Sequence, residues 1–251
     1  MNIEISVVIP AYNEAVRLPP YLAAARPYLQ RHYADGYEVI VVDDGSQDGS
    51  PDLLARVAGD WPEFAVMRHP TNRGKGAAVR TGMLAARGEL ALFADADGAT
   101  PIEEERKLAE AIRAGADLAV GSRLVAGTDV TRRRTLSRGM AGRLFACFAR
   151  WWLRINVRDT QCGFKMFRRE VGRKLFSTTE ESGYLFDLEL LAMADRAGYR
   201  VVEVPVNWAD VPGGHLSMAR ELRRILPGMW RLKRRLRNKK VGRSPTRSTS
   251  I

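Results

Sequence analysis

A doubly wound α/β fold, with a mostly parallel sheet between two layers of helices, is predicted by three features of the 251-residue sequence. Short apolar runs such as Ile5–Ile9 and Val39–Val42 are nearly continuous rather than alternating, as in strands buried on both faces. Amphipathic stretches separate them, the pattern of right-handed βαβ crossovers. Polar and glycine-rich loops close four of the five runs, at the carboxyl ends where such sheets bind ligands.

Element by element, Ile5–Ile9 reads as a buried strand closed by Pro10, and a helix is expected from about Leu18 to Tyr33. Val39–Val42 is the second strand, followed by a helix with Ser50 as its N-cap and Pro51 as its first residue. Phe64–Met67 is the third strand and Leu90–Ala94 the fourth, joined by a helix from about Gly76 to Ala86. Thr100-Pro101-Ile102-Glu103 has the spacing of a capping box opening a helix to about Ala114. Leu118–Val120 is the fifth strand, and a helix is expected over Tyr184–Arg196.

Composition bounds the function. Hydrophobic residues make up 45% and charged residues 27%, as in a globular domain with a sizeable core. Two cysteines, Cys147 and Cys162, cannot build a disulfide framework and suggest a reducing compartment. The opening residues lack a basic segment followed by a long apolar one, and no run of about 18 apolar residues occurs; neither a signal peptide nor a membrane span is expected. The net charge of +11 is concentrated: residues 123–173 carry +10 and 220–251 carry +11, while 1–122 and 174–219 are acidic. Such patches favour polyanions, either phospholipid head groups or nucleic acid. Few aromatics and no helix-turn-helix or zinc spacing argue against nucleic acid.

Asp95-Ala96-Asp97 is the most informative loop. In an extended segment, carboxylates two apart share one side, and Mg²⁺ or Mn²⁺ is commonly held by one or two carboxylates with substrate phosphates and water. Asp43 reads as a turn former, whereas Asp44 and Glu14 can accept hydrogen bonds from a base or ribose. Lys75, in Gly74-Lys75-Gly76, is a mobile cation at a helix start, but the P-loop spacing is absent.

The segments Val7–Glu14, Val41–Ser46 and Asp95–Asp97 resemble glycosyltransferase family 2 enzymes of the GT-A fold. More narrowly, Asn72–Gly76, Asp95–Thr100, Gly121–Arg123 and Asp159–Lys165 resemble the dolichyl-phosphate (polyprenyl-phosphate) glucosyltransferase branch, in order over roughly residues 5–210. The resemblance implies inverting transfer of a hexose from a nucleotide sugar to a lipid phosphate. Gly98-Ala99-Thr100 is similar to the UDP-glucose branch. By position, Pro10, Ala11, Tyr12, Glu14, Asp44 and Lys75 would contact the donor, and Asp95 and Asp97 the metal (Mg²⁺ or Mn²⁺) and diphosphate. Asp97, Arg123 and Arg138 form the expected catalytic set, the arginines holding phosphate groups. Two departures stand out: Ala99 replaces a glutamine ligand of mannose-transferring relatives, and the loop 212–217 lacks a lysine, leaving His215 as its one basic group.

A phosphate acceptor is already ionised at neutral pH and needs no general base, whereas a sugar hydroxyl needs one, for which Asp159, Asp187 and Glu189 are the candidates. Asp187 and Glu189 also read as an exposed or capping pair. Residues 1–215 are expected to form the catalytic domain, 216–240 basic amphipathic membrane-surface helices, and 241–251 a disordered tail. From Met218, apolar residues at 222, 225, 226, 229, 232 and 236 form a stripe with arginines elsewhere, the pattern of an interfacial helix. Residues 136–155, with Phe148, Trp151 and Trp152 among arginines, read equally as a second such helix or a core helix. Peripheral attachment to an anionic membrane, on its cytoplasmic face, is the expected location.

Overall fold

The computed structural model describes residues 2–128, 130–131, 148–209, 211 and 218–238. Arg138, His215, Cys147 and the 241–251 tail lie outside them. The described elements run β1 (Ile5–Ala11), α1 (Leu18–Tyr33), β2 (Tyr37–Asp43), α2 (Ser50–Asp60), β3 (Phe64–Arg68), α3 (Lys75–Ala85) and β4 (Leu90–Ala94). A 3-10 turn (Ile102–Glu104), α4 (Glu105–Arg113), β5 (Leu118–Ser122), β6 (Val130–Thr131) and a helical segment α5 (148–153) follow. The chain continues through β7 (Phe164–Arg168), α6 (Arg169–Thr178), α7 (Phe186–Ala197), β8 (Val201–Pro205), β9 (Trp208–Ala209) and α8 (Met218–Asn238).

Seven strands form one sheet in the order β3-β2-β1-β4-β7-β5-β8, and β6 pairs with β9. All neighbours in the large sheet are parallel except β7, which runs antiparallel between β4 and β5. Side chains alternate along each strand. Val8, Val42, Phe93 and Val120 thus pack on one face with α3, α6, α7 and the end of α8. Val7, Ile9, Val41, Leu92 and Ala119 pack on the other with α1 and α4. Two covered faces explain the unbroken apolar runs Val7–Ile9 in β1 and Val39–Val42 in β2.

Several local expectations are corrected. Pro10 does not close β1: the strand continues to Ala11, and Pro10 lies opposite Val42, beyond the last β1–β4 pair, Val8–Phe93, so only one side needs pairing there. Ser50 is the first residue of α2 rather than its cap; its Oγ accepts the Glu14 N–H at 2.9 Å, tying the two loops together. Thr100 forms no capping box, because Pro101 is extended (ψ 145°) and the chain enters a 3-10 turn before α4. The apolar stripe of α8 is also reassigned. Met229, Leu232 and Leu236 are buried in the core, so over these turns the stripe faces the protein rather than a bilayer. In α5, Ala149 and Leu153 are likewise core residues, whereas Trp151 is 73% exposed.

Candidate active site

The inserted strand β7 builds the site. Being antiparallel, it begins where β4 ends, with Phe164 opposite Ala94. The Asp95 N–H therefore donates to the Gly163 carbonyl at 2.9 Å. Gly163 lies so close to the Asp95 carboxylate that a Cβ there would sit 1.9 Å from Oδ2. Sequence reading missed this contact; its one signal was the glycine inside Asp159–Lys165.

Asp95-Ala96-Asp97 is not extended: the chain turns at 96–97, and Gly98 follows with φ +65°. Asp97 Oδ1 accepts the Ala99 N–H at 3.1 Å, which tightens the turn. Burial, and then the charge of Asp95, push the Asp97 carboxyl above its usual range. Each carboxylate faces a base: Lys75 Nζ lies 2.7 Å from Asp95 Oδ1, and Arg17 Nη1 lies 3.9 Å from Asp97 Oδ2. Arg17 was not among the predicted residues; Glu14 binds its guanidinium, with Nε to Oε2 at 2.8 Å. The Tyr21 hydroxyl, buried beside these aspartates, has no hydrogen-bond partner among the described residues. A cleft of about 460 Å³ opens beside Asp97, lined by Arg17, Tyr21, Gly98 and Glu103 among others.

The neighbouring loops are knitted together. Asn13 N–H donates to Ser46 Oγ, and Gln47 N–H to Asn13 Oδ1, each at 2.9 Å. Asp43 is the expected turn former, with Oδ1 accepting the Ser46 N–H at 2.9 Å. Asp44 is buried and organises the loop leading to Lys75. Its Oδ1 meets His69 Nδ1 at 2.6 Å and accepts the Arg73 N–H at 3.0 Å, while Oδ2 accepts the Gly74 N–H at 2.7 Å. Gly74 has φ +98°, and a Cβ there would strike the Ser182 carbonyl at 2.5 Å, so only glycine leads the chain into α3 at Lys75. Pro10 and Ala11 end β1, and Tyr12 beyond them is 40% exposed at the rim.

Arg123 follows β5 and is gripped by Asp159 in a two-point pair, Nε to Oδ2 and Nη2 to Oδ1, both 2.8 Å. Its guanidinium lies 5.4 Å from the centre of the Trp208 ring. Burial alone would raise the Asp159 carboxyl, but the hydrogen bonds and charge of Arg123 hold it below the usual range. Asp187 and Glu189 are not an exposed pair: both are buried. Asp187 pairs with the fully buried Lys165 at 2.6 Å, and Glu189 accepts the N–H groups of Glu180 and Glu181. Because that ion pair is dry, Lys165→Met should destabilise the fold by about 3–5 kcal/mol in denaturant unfolding, with Lys165→Met/Asp187→Leu recovering part of the loss. Burial also pushes the Cys162 thiol up to about 12, so it is no thiolate ligand or nucleophile at neutral pH.

Among the described residues no cluster of three or more His, Cys, Asp or Glu could hold a metal ion. Two adjacent carboxylates suit a cation that draws its other ligands from a diphosphate and water. The donor set therefore fits Mg²⁺ or Mn²⁺ shared with substrate, and does not fit a closed structural site.

Comparison with known proteins agrees with this geometry. Residues 6–176 match the family model described as glycosyl transferase family 2. The chain is 38% identical to the dolichyl-phosphate beta-glucosyltransferase of Drosophila melanogaster and 36% identical to that of Homo sapiens, covering 92% and 91% of this chain and 78% of each relative. Among solved structures, it is similar to glucosyl-3-phosphoglycerate synthase from Mycobacterium tuberculosis in complex with Mn²⁺, UDP-glucose and phosphoglyceric acid. That likeness has a TM-score of 0.65 at 22% identity and covers 92% of this chain and 80% of the other.

Proposed function

Because the chain belongs to glycosyltransferase family 2, we propose that this glycosyltransferase moves glucose from UDP-glucose to a polyprenyl or dolichyl phosphate, with inversion, at a membrane surface. One observation carries the choice of acceptor. The three carboxylates singled out as candidate bases are each engaged: Asp159 by Arg123, Asp187 by Lys165, and Glu189 by two backbone N–H groups. An acceptor that arrives ionised, as a phosphate monoester does, needs none of them.

In this reading Asp95 and Asp97 hold Mg²⁺ or Mn²⁺. When bound, the cation neutralises the charge that develops on the leaving diphosphate. Pro10, Ala11, Tyr12, Glu14 and Asp44 border the nucleotide, Asp44 also through the loop it shapes. Lys75 and Arg17 supply positive charge beside the diphosphate. Arg123, held rigid by Asp159 and so pre-organised for oxygen anions, is assigned to phosphate groups, as is Arg138. Mn²⁺-dependent binding of UDP-glucose in preference to GDP-mannose, measured calorimetrically, is the test of the donor; preference for GDP-mannose would overturn it.

Among the described residues no helix is long and apolar enough to cross a membrane. The reading places the protein peripherally, on the cytoplasmic face. Support comes from an exposed aromatic and basic surface where α5 meets α8. Phe148 stacks on Trp152 at 5.7 Å, and Lys233 lies 3.6 Å over the Trp152 ring. Trp151 and Trp230 project with 73% and 60% exposure, and Arg231, Arg234 and Arg237 are exposed along α8. Tryptophan beside arginine suits the head-group layer of an anionic bilayer. Trp151→Ala/Trp230→Ala should lower sedimentation with anionic liposomes about ten-fold or more, given burial worth about 1.5 kcal/mol or more per large side chain. Unchanged sedimentation would remove this surface from the account.

A further inference from the structure

The two aspartates at the end of β4 are already paired. Asp95 has Lys75 at 2.7 Å and Asp97 has Arg17 at 3.9 Å, and these side chains are only 15–33% exposed. With Glu14, which holds Arg17, three carboxylates face two cations, so each aspartate is paired and one negative charge is left over. The two bases differ in how they are held. Arg17 is clamped by Glu14. Lys75 has a flexible stem, with its ammonium 5.4 Å from the centre of the Phe93 ring, and it also feels the charge of Asp187, which is already paired with Lys165.

We infer that Lys75 is a resident counter-ion of Asp95 that gives way to the divalent cation and passes to the donor diphosphate, so that metal and donor bind cooperatively. The inference rests on the metal and donor reading above. An ammonium 2.7 Å from Asp95 Oδ1 competes with a divalent cation for that oxygen, and two cations so close repel in a part-buried site. Metal alone would leave Lys75 facing a second cation, with Asp187, already paired with Lys165, as its remaining carboxylate. Metal together with a nucleoside diphosphate brings +2 with a matching negative charge, and Lys75 then has phosphate oxygens to meet. A divalent cation with a doubly charged sugar-nucleotide diphosphate leaves the net charge of the site unchanged, so the joint ligand is favoured over the metal alone. Arg17, fixed by Glu14, stays in place at Asp97.

The test is Mn²⁺ binding, followed by the electron paramagnetic resonance signal of free Mn²⁺, with and without UDP, in the full chain and in Lys75→Met and Lys75→Arg. For the unaltered protein, Mn²⁺ should bind at least ten-fold more tightly with UDP than without. Lys75→Met should bind Mn²⁺ alone at least ten-fold more tightly than the unaltered protein, and the UDP enhancement should shrink. Lys75→Arg should keep the weak metal-alone binding, with circular dichroism verifying the fold of each variant. A folded Lys75→Met whose metal-alone affinity is unchanged or weaker overturns the exchange while leaving the metal site intact. Failure of the unaltered protein to bind Mn²⁺ even with UDP overturns the exchange and the metal reading together.

Discussion

Asp97→Ala is expected to lower glucosyl transfer by about a hundred- to a thousand-fold, the scale for removing one group that stabilises developing charge. The fold should not suffer. Burial and the neighbouring Asp95 raise the Asp97 carboxyl, so its ionised form is penalised in the folded chain, and without a cation the residue is a local liability. Thermal unfolding of Asp97→Ala without metal is therefore expected at the same temperature as the parent or higher, while Mn²⁺-dependent UDP-glucose binding is lost. Loss of function with retained stability is the signature of a ligand residue. Equal loss of both would instead mark Asp97 as structural, its Oδ1 needed chiefly to hold the Ala99 turn.

The second large effect is expected at a residue with no functional group. Gly163→Ala puts a methyl 1.9 Å from Asp95 Oδ2 and 2.1 Å from its carboxyl carbon, so the carboxylate must move. The strands cannot easily part instead, because the Asp95 N–H bonds the Gly163 carbonyl and the β4–β7 pairing continues through Phe164 and Ala94. Gly163 is not in the left-handed region, so the cost is steric alone. Overpacking of this kind costs about 1–3 kcal/mol, and a displacement of about 1 Å at a reacting centre can cost about a hundred-fold in rate. Gly163→Ala should thus fold, unfold slightly earlier, and lose about two orders of magnitude in transfer. Full activity in Gly163→Ala would mean that Asp95 works from a different position.

These residues show where reading the sequence succeeds and where it stops. Parallel strands buried on both faces are continuous apolar runs, so β1, β2, β4 and β5 are legible, and their carboxyl ends point to the right loops. β7 is not, because its pattern is interrupted by Lys165, a charge tolerated only because Asp187, 22 residues away, meets it in the core. The antiparallel insertion that delivers Gly163 to Asp95 is a consequence of pairing, which periodicity cannot encode. Asp44 could be singled out from sequence, but not its partners at His69, Arg73 and Gly74, which lie 25 to 30 residues on. Arg17 was passed over because a basic residue before a helix is unremarkable until Glu14 and Asp97 are seen on either side. The stripe of α8 was read correctly as amphipathic, but a stripe does not say what covers it, and here Met229, Leu232 and Leu236 are covered by the domain itself.

The most direct test of the account is a transfer assay with UDP-glucose, a polyprenyl phosphate and Mn²⁺, with the lipid product identified by mass and its anomeric configuration by NMR. The account predicts a β-linked glucosyl phospholipid that forms only with a divalent cation and disappears on chelation. Transfer to a sugar hydroxyl in place of the lipid phosphate, or lipid glucosylation undiminished by chelator, would contradict it.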